Sequence, residues 1–600
     1  LAVALFCVIF FRLWTLEIIS GSHYLANANN NRVRDITIQA PRGEVFDRNG
    51  QVLVDNRTNL AVKLRPDKIP ADPGLRDDLY ARLGRVLNMK PDDVRRQIAD
   101  QLAAQPFASP TIKQDVDLPT VSYLLENQDE FPAVTVEHEY VRSYPNKDVG
   151  AHLFGTVGEV SKEELDKHVF QDPLVQGDRA GQSGVEYSYD HWLRGVNGAT
   201  RVQVDASGKP TGELTQRTPI QGNNLKLAID ENVERSAQDA MGGKAGAFVV
   251  MDVTNGEVQA LGSTPSYDPN IFSKTIKQSD YQRLSAPQNG APLTNRAIQG
   301  LYPTGSTFKL ITAIAGLQGG LLTPNTTIDD PGSITISGIN FRNAGGEVNG
   351  NIALRRAIAV SSDVFFYRLG AQAFSAPGGH LLQDWASKLG IGHKTGIDLP
   401  AESRGLVPSP EWRNDLFKRH LTDRPWSVGD DVNLAVGQGD LEVDPLQLSV
   451  AYAAVANGGY IVTPHVGLQS FSPAGKPVQT FEPPARQKLD IDPQNRQAIL
   501  DGMRQAASTP GGTSEPVFAG FPIPVAGKTG TAEVGAGRND QSWYMALAPY
   551  PNPKYVVAVT MEHAGFGAQA AAPAARRILA TLFNVQNQAN PAAPGASTPG

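Results

Sequence analysis

The sequence predicts an α+β protein with three parts: a membrane anchor, an irregular N-terminal domain, and a larger domain whose sheet is assembled from both of its ends. Three observations predict this. The first nineteen residues form an apolar run, LAVALFCVIFFRLWTLEII. Short strand-like runs then alternate with charged helical stretches as far as Gly222. Beyond that point, two apolar runs joined by Thr254-Asn255-Gly256 are answered near the far end by PVAGKTGTAEV, SWYMALAPY and YVVAVTMEH, with a long helical, glycine-rich stretch between. Strands drawn from both ends of a domain, with helices inserted, make an α+β arrangement rather than a doubly wound one.

The anchor is assigned to residues 1–20. At 1.5 Å per residue its apolar run would span about 28 Å, close to the hydrocarbon thickness of a bilayer. Arg12 can snorkel, and Trp14 and Glu17 lie where the helix should reach the interface. The chain begins with Leu rather than Met, so the flank that would set orientation is expected to be missing from it. A cleavable signal peptide is the competing reading, since Ala26-Asn27-Ala28 offers a small-x-small site. That site lies well beyond the apolar run, with polar Asn29 to Asn31 directly after it. Either reading places the bulk of the protein outside the cytoplasm.

Residues 21–222 form the N-terminal domain, with helices expected over Asp77 to Leu87 and Pro91 to Leu102. The turn cluster Gln221-Gly222-Asn223-Asn224 opens the second domain, residues 223–585. There LKLAID reads as a strand, Glu231 to Met241 as a polar helix, AGAFVVMDV and EVQALGS as a hairpin, and Ala571 to Phe583 as a closing helix. Residues 586–600, ending NQANPAAPGASTPG, have no apolar periodicity and are expected to be disordered. No repeat of solenoid period is present.

Composition narrows the function classes. The chain has 600 residues, with 54 Lys and Arg against 61 Asp and Glu, a formal net charge of -7 that argues against a protein built to coat nucleic acid. Its single cysteine, Cys7, lies in the anchor, so no intrachain disulfide and no zinc site needing two thiolates can form. The 58 glycines and 43 prolines promise many ordered turns.

The chemistry starts at YPTGSTFKLITAIAGL, which holds the only Ser-x-x-Lys of the chain, Ser306 and Lys309. The helical spacing of the apolar residues that follow places Ser306 at a helix N-terminus, with Lys309 one turn on and on the same face. A serine hydroxyl needs a base to take its proton, and a lysine serves only if burial or a neighbouring cation lowers its pKa. Backbone N–H groups at the helix start would stabilise an oxyanion. Alone, such a pair is equally a surface Ser and Lys on a helix.

Two further motifs add weight. Ser361-Ser362-Asp363 lies 55 residues downstream of Ser306, between IALRRAIAV and the aromatic run VFFYRLG. Read alone, Ser361 and Asp363 are also a helix-capping pair. Lys528-Thr529-Gly530-Thr531 lies within an expected strand, where Lys528 alone reads as a solvated lysine. Together the three fit a peptide substrate ending in a carboxylate. Lys528 would attract that charge, Thr529 or Thr531 would donate a hydroxyl hydrogen bond, and the strand edge would hold the peptide backbone. Gly530 would let another chain approach closely. Ser361 would relay a proton between Lys309, Lys528 and a leaving amine, and Asp363 would orient one of the lysines.

Ser-x-x-Lys, a Ser-Asp-Asn element and Lys-Thr-Gly recur together in penicillin-binding proteins and class A β-lactamases. The chain resembles a class B penicillin-binding protein along nearly its whole length. APRGEVFDRNGQVLVDN (Ala40 to Asn56) is similar to the family's N-terminal signature, carried by Arg42, Gly43, Asp47, Arg48 and Gly50. GQSGVEYSYDHWLRGVNG (Gly181 to Gly198) resembles its second pedestal motif. NRAIQGLYPTGSTFK, VGQGDLEVDPLQLSVAYAAVANGG and GKTGTAEV resemble transpeptidase stretches. The resemblance implies an elongated N-terminal pedestal and a penicillin-binding transpeptidase domain, with an antiparallel five-stranded sheet, helices on both faces and a helical subdomain.

The resemblance further implies that Ser306 is acylated by a stem peptide ending in D-Ala-D-Ala. Lys309 would be the base, Ser361 the proton shuttle, and Lys528 with Thr529 the carboxylate pair. The backbone N–H groups of Ser306 and Thr531 would form the oxyanion hole, and β-lactams would acylate the same serine. Asp363 stands where many relatives have Asn, which resembles the elongation branch. That branch implies a SEDS-family (RodA-like) glycosyltransferase partner, lipid-linked precursor strands as substrate, and single-pass anchoring in the bacterial inner membrane. Some elongation enzymes place Asp, His and Cys zinc ligands between the first two motifs; Asp329 to Asn351 contains neither His nor Cys, so neither a metal nor any other cofactor is expected. No glycosyltransferase domain is expected before the pedestal, which reads against a bifunctional class A enzyme, and no PASTA repeats are expected after the last helix. Competing readings are a D,D-carboxypeptidase or β-lactamase-like hydrolase on the same scaffold, disfavoured by the large pedestal, and a membrane-anchored β-lactam sensor or silent scaffold, disfavoured by the intact Ser306, Lys309, Ser361 and Lys528.

Overall fold

One sheet runs without a break from the N-terminal part of the molecule into the C-terminal part, and the site depends on what this sheet holds in place. The computed structural model describes residues 33–586, apart from 105–108, 173, 176–177, 205–209, 274–275, 485 and 536, together with Phe6, Phe10, Arg12 and Trp14. The anchor expected at residues 1–20 and the tail expected at 586–600 therefore lie almost wholly outside the described residues. No described helix is long and apolar enough to cross a membrane.

The N-terminal part begins with β1 (Val33–Ile38), β2 (Val45–Phe46) and β3 (Val52–Leu64). Helix α1 (Pro73–Leu87) starts four residues before the charged run that marks it in the sequence. The cause is a cap: Asp72 accepts a hydrogen bond from Leu75 N–H, and Pro73 takes the first helical position. Asn88 closes it in the left-handed region at φ 55°. Helix α2 (Pro91–Ala104) follows, and β4 (Val134–Ser143) pairs antiparallel along β3 from Asp55 to Leu64. Leu79, Leu83 and Leu87 of α1 and Val94 and Ile98 of α2 pack on Val62, Leu64 and Val134 to make a separate small core.

The Arg42-to-Gly50 signature ties distant segments of the chain together. Arg42 pairs with Glu186 and Asp190, and Arg142 pairs with the same Glu186, which is fully buried. A side chain at Gly43 would lie 1.7 Å from the Asn223 carbonyl, so the two segments touch backbone to backbone. Asp47 accepts from Asn49 N–H at 2.7 Å and Gln51 N–H at 2.8 Å, folding the turn that puts Gly50 at φ 89°.

The C-terminal part opens with β5 (Asn224–Leu227), which runs parallel to β2. Then come α3 (Glu231–Ala240), β6 (Gly246–Asp252), β7 (Val258–Thr264), α4 (Lys309–Gln318), α5 (Leu354–Val360), α6 (Asp363–Phe374) and α7 (Pro445–Ala456). Strand β8 (Gly467–Phe471) pairs antiparallel with β5, which makes the sheet continuous between the two parts. Tyr189 reinforces the joint: its hydroxyl donates to Asp398, which also accepts from Val466 and Gly467 N–H.

The last strands are β9 (Ala526–Ala532), β10 (Gln541–Ala548) and β11 (Tyr555–Met561), before helix α8 (Ala571–Leu582). They complete a five-stranded antiparallel sheet in the order β7-β6-β11-β10-β9. Helices α3 and α8 cover one face through Phe248, Val250, Tyr544 and Val557. Helix α7, buried along its whole length, covers the other face through Val249, Met251, Met545 and Ala558. With both faces covered, these strands are apolar almost throughout instead of alternating. Strand β9, which carries the third motif, is the edge.

Glu186 compensates two buried guanidinium groups, and removing one member of such a cluster leaves uncompensated charge. Glu186→Gln is therefore expected to destabilise the N-terminal part by about 3–5 kcal/mol. The check is a lowered urea midpoint at unchanged slope.

Candidate active site

The site is built from the start of α4, the turn between α5 and α6, and the edge strand β9. The sequence places Ser306 at a helix N-terminus, and the structure has it there, in a 3-10 turn, Gly305–Phe308, that leads into the α-helix starting at Lys309. The tighter turn has a cause. Gly305 sits at φ 53°, and a side chain there would lie 2.3 Å from the Thr531 carbonyl. Gly305 N–H donates to Gly437 O at 2.9 Å, the Tyr452 hydroxyl to Thr307 O at 2.8 Å, and the Trp543 indole to Pro303 O at 3.0 Å. The turn is thus wedged between the Gly437 loop, α7 and the sheet, with the backbone of Thr531 packed on the residue before Ser306.

Ser361 ends α5 in the left-handed region at φ 59°, a conformation that costs a residue other than glycine about 1–3 kcal/mol. Ser362, between the two motif residues, is the actual cap of α6 and accepts from Phe365 N–H. Ser361 and Asp363 are thereby left facing Lys309, whose ammonium donates to Ser361 O at 2.8 Å, to Asp363 Oδ1 at 2.6 Å and to Ser361 Oγ at 3.2 Å. From the sheet side, Lys528 Nζ donates to Ser361 Oγ at 2.8 Å and to Thr529 O at 2.8 Å. One hydroxyl oxygen therefore lies between two lysine nitrogens. Ser306 Oγ is not among the hydrogen-bond partners of either.

Both lysines are fully buried. Burial lowers the Lys309 pKa, and the carboxylates of Asp363 and Asp330 only partly oppose it; the Phe366 ring lies 5.5 Å from the ammonium. Lys528 falls well below its ordinary value, through burial and the neighbouring charge of Lys309, with Asp363 in partial opposition. A hydroxyl has one proton, so Ser361 Oγ is best satisfied when it accepts from one lysine and donates to a neutral other. That arrangement can pass a proton in either direction. Asp363 makes the direct contact to Lys309; Lys528 has no carboxylate among its hydrogen-bond partners.

Thus Ser361, Asp363, Lys309 and Lys528 meet, and Ser306 lies on the same turn as Lys309. Thr529 Oγ1 donates to Thr513 Oγ1 at 2.9 Å, and Thr531 Oγ1 accepts from Gly567 N–H at 3.3 Å. Gly530 lets its own chain approach closely, since a side chain there would lie 2.8 Å from Thr304 O and 2.8 Å from Thr307 Cγ2. Thr513, Asp330 and Asn343 escape sequence reasoning because no motif spacing links them to the site. Among the described residues, no group of three or more His, Cys, Asp or Glu side chains is placed to hold a metal ion.

The chain is similar to known proteins over most of its length. Residues 246–580 match the family described as penicillin binding protein transpeptidase domain, and residues 37–227 match the penicillin-binding protein dimerisation domain. The peptidoglycan D,D-transpeptidase MrdA of Escherichia coli is 32% identical over 579 residues, covering 93% of this chain and 89% of that protein. Its counterpart in Salmonella typhimurium is 31% identical over 608 residues, covering 97% and 94%. Among solved structures, the penicillin-binding protein PBP2 of Helicobacter pylori in complex with MreC superposes with a TM-score of 0.78 at 26% identity, covering 92% of this chain and 99% of that one. A chain from a peptidoglycan synthase complex, studied for how polymerization and crosslinking are coordinated, gives 0.70 at 28% identity, covering 98% of each.

Two outcomes follow from the packing and the charge. Gly305→Ala would push β9 away from the 3-10 turn and is expected to slow reaction with a chromogenic β-lactam by roughly 10²-fold, measured by stopped-flow. Because Lys528 binds its proton less tightly folded than unfolded, stability rises with pH between its depressed folded value and roughly 10.4. The unfolding free energy of the wild type relative to Lys528→Met should accordingly increase across that window.

Proposed function

The chain belongs to the class B penicillin-binding proteins of the PBP2 type, and from that premise we propose that it is a peptidoglycan D,D-transpeptidase working in cell elongation. The observation that carries the reading is the junction of Lys309, Ser361 and Lys528 beside Ser306. Ser306 Oγ attacks the carbonyl carbon between the two terminal D-Ala residues of a stem peptide, and its proton passes to neutral Lys309. The developing oxyanion takes hydrogen bonds from Ser306 and Thr531 N–H. When the peptide C–N bond breaks, the proton travels through Ser361 to the departing D-Ala amine, leaving an ester on Ser306.

An amino group of a second stem peptide then attacks the ester, its proton returns along the same path, and Ser306 is released as the hydroxyl. The arriving substrate carboxylate draws the proton from Lys309 through Ser361 onto Lys528, which leaves Lys309 neutral and pairs Lys528 with that carboxylate, and Thr529 turns its hydroxyl from Thr513 towards it. Asp363 holds Lys309 in place. β-Lactams present a strained amide to the same serine and remain as the acyl-enzyme.

The domain limits proposed are an anchor at 1–20, a pedestal at 21–222 and a catalytic domain at 223–585; the family matches at 37–227 and 246–580 support the last two. The apolar run at the start supports single-pass anchoring in the inner membrane with the catalytic domain outside the cytoplasm. Similarity to a chain of a peptidoglycan synthase complex supports a SEDS-family (RodA-like) glycosyltransferase partner that supplies nascent strands from lipid-linked precursors.

Fluorescent penicillin followed by mass spectrometry is expected to place the label on the peptide containing Ser306; labelling that survives Ser306→Ala would sink the reading. With lipid-linked substrate and the glycosyltransferase present, cross-linked muropeptide dimers are expected. Tetrapeptide monomers without dimers would instead indicate hydrolysis.

A further inference from the structure

We infer that Asp330 is a positioning residue for this reaction: together with Asn343 it locks the Ser361–Asp363 turn to which Lys309 is hydrogen-bonded, and it holds a buried negative charge behind that turn. Asp330 ends the short strand Thr327–Asp330 and is fully buried. Its carboxylate accepts from Gly332 N–H at 3.0 Å, from Asn343 Nδ2 at 2.8 and 2.9 Å, from Asn349 Nδ2 at 2.7 Å and from Ser362 Oγ at 2.6 Å. All four donors are neutral. A buried carboxylate held only by neutral dipoles is costly to build, which calls for a reason. Burial works to raise its pKa, but the hydrogen bonds from Ser362, Asn343, Asn349 and Gly332 outweigh it, so the group stays ionised.

What the carboxylate holds is the second motif. Asn343 Oδ1 accepts from both Asp363 and Val364 N–H at 2.9 Å, and Ala344 N–H donates to Asp363 Oδ2 at 3.3 Å. Ser362, which caps α6, is tied to Asp330 directly. The loop from 330 to 349 therefore grips Ser362 by its side chain and Asp363 by both backbone and side chain, which fixes the turn that Ser361 enters in its left-handed conformation. The charge acts as well. Lys309 faces Asp363 and Asp330 from this side, Lys528 from β9 and the Phe366 ring from α6, and Asp330 favours its protonated form.

The inference rests on Ser306 as nucleophile and Lys309 as base. Its test is the second-order rate of Ser306 labelling by fluorescent penicillin on the full chain, from about pH 5 to about pH 10, with thermal unfolding followed in parallel. Asp330→Asn is expected to lower the plateau rate about 10-fold or more and to move the acid limb down by about half a pH unit, because Lys309 then loses its proton more easily. The exchange Asp330→Asn with Asn343→Asp returns the charge to the cluster and should recover much of the rate and the limb. Asn349→Ala, which keeps the carboxylate and removes one tether, should lower the plateau roughly threefold with the limb unmoved; it decides the matter if Asp330→Asn does not fold. An Asp330→Asn enzyme with the wild-type rate and limb overturns the inference. So does a lost rate with an unmoved limb that the exchange fails to recover, or an Asn349→Ala enzyme with an unchanged plateau. A wild type unlabelled at Ser306 would instead remove the reading on which the inference rests.

Discussion

The structure around the site turns on one constraint: two lysine side chains, both taken out of water, share a single serine hydroxyl. Lys309 and Lys528 would repel each other if both kept their protons in so dry a place, and burial drives both towards neutrality. One nearby carboxylate, Asp363, is bonded to Lys309 and not to Lys528. The resting site therefore holds a charged and a neutral lysine more easily than two of a kind, with Ser361 as the atom through which they exchange a proton. A serine nucleophile needs a base that becomes an acid within one turnover, and a shared proton of this sort meets that need.

Holding three chain segments to within hydrogen-bonding distance requires a stiff frame, and the fold supplies it in close backbone contacts. Gly305 against Thr531, Gly437 against Gly305, and Gly530 between the nucleophile turn and Gly567 are approaches that a β-carbon would block. These contacts fix the turn of Ser306 to the edge strand, and the sheet behind is buried on both faces by helices. Outside the catalytic part, the Arg42–Glu186–Arg142 cluster ties segments of the N-terminal part together, and the β2–β5–β8 pairing makes that part continuous with the strands of the C-terminal part. A displacement of the pedestal would be passed on through hydrogen-bonded strands, not through a loose linker.

Local physics was readable from the residues alone. Thr254-Asn255-Gly256 does turn one strand into the next, with Asp252 accepting from Thr254 and Gly256 at φ 85°. The helices Pro73–Leu87 and Pro91–Ala104 cover the stretches where the sequence pattern expects helices, and Lys309, Ser361, Asp363 and Lys528 come from separated motifs into one place, with Ser306 on the turn leading into Lys309. What could not be read depends on partners far away in the chain. The 3-10 turn at Ser306 exists because Thr531 presses on Gly305. Asp330 and Asn343 carry no motif, and only the folded loop brings them under Ser362. Ser361 in a left-handed conformation contradicts its own propensity and is held there by its surroundings, as expected where function overrides local preference.

The most direct test of this account is the titration of the two lysines themselves. With lysine labelled at the ε-carbon and assigned by Lys309→Arg and Lys528→Arg, carbon resonances followed against pH report each side-chain proton. The account predicts two signals that titrate below the roughly 10.4 of exposed lysines, the lower belonging to Lys528, and a shift in each when the other is replaced. Two signals that titrate independently in the ordinary lysine range would contradict it.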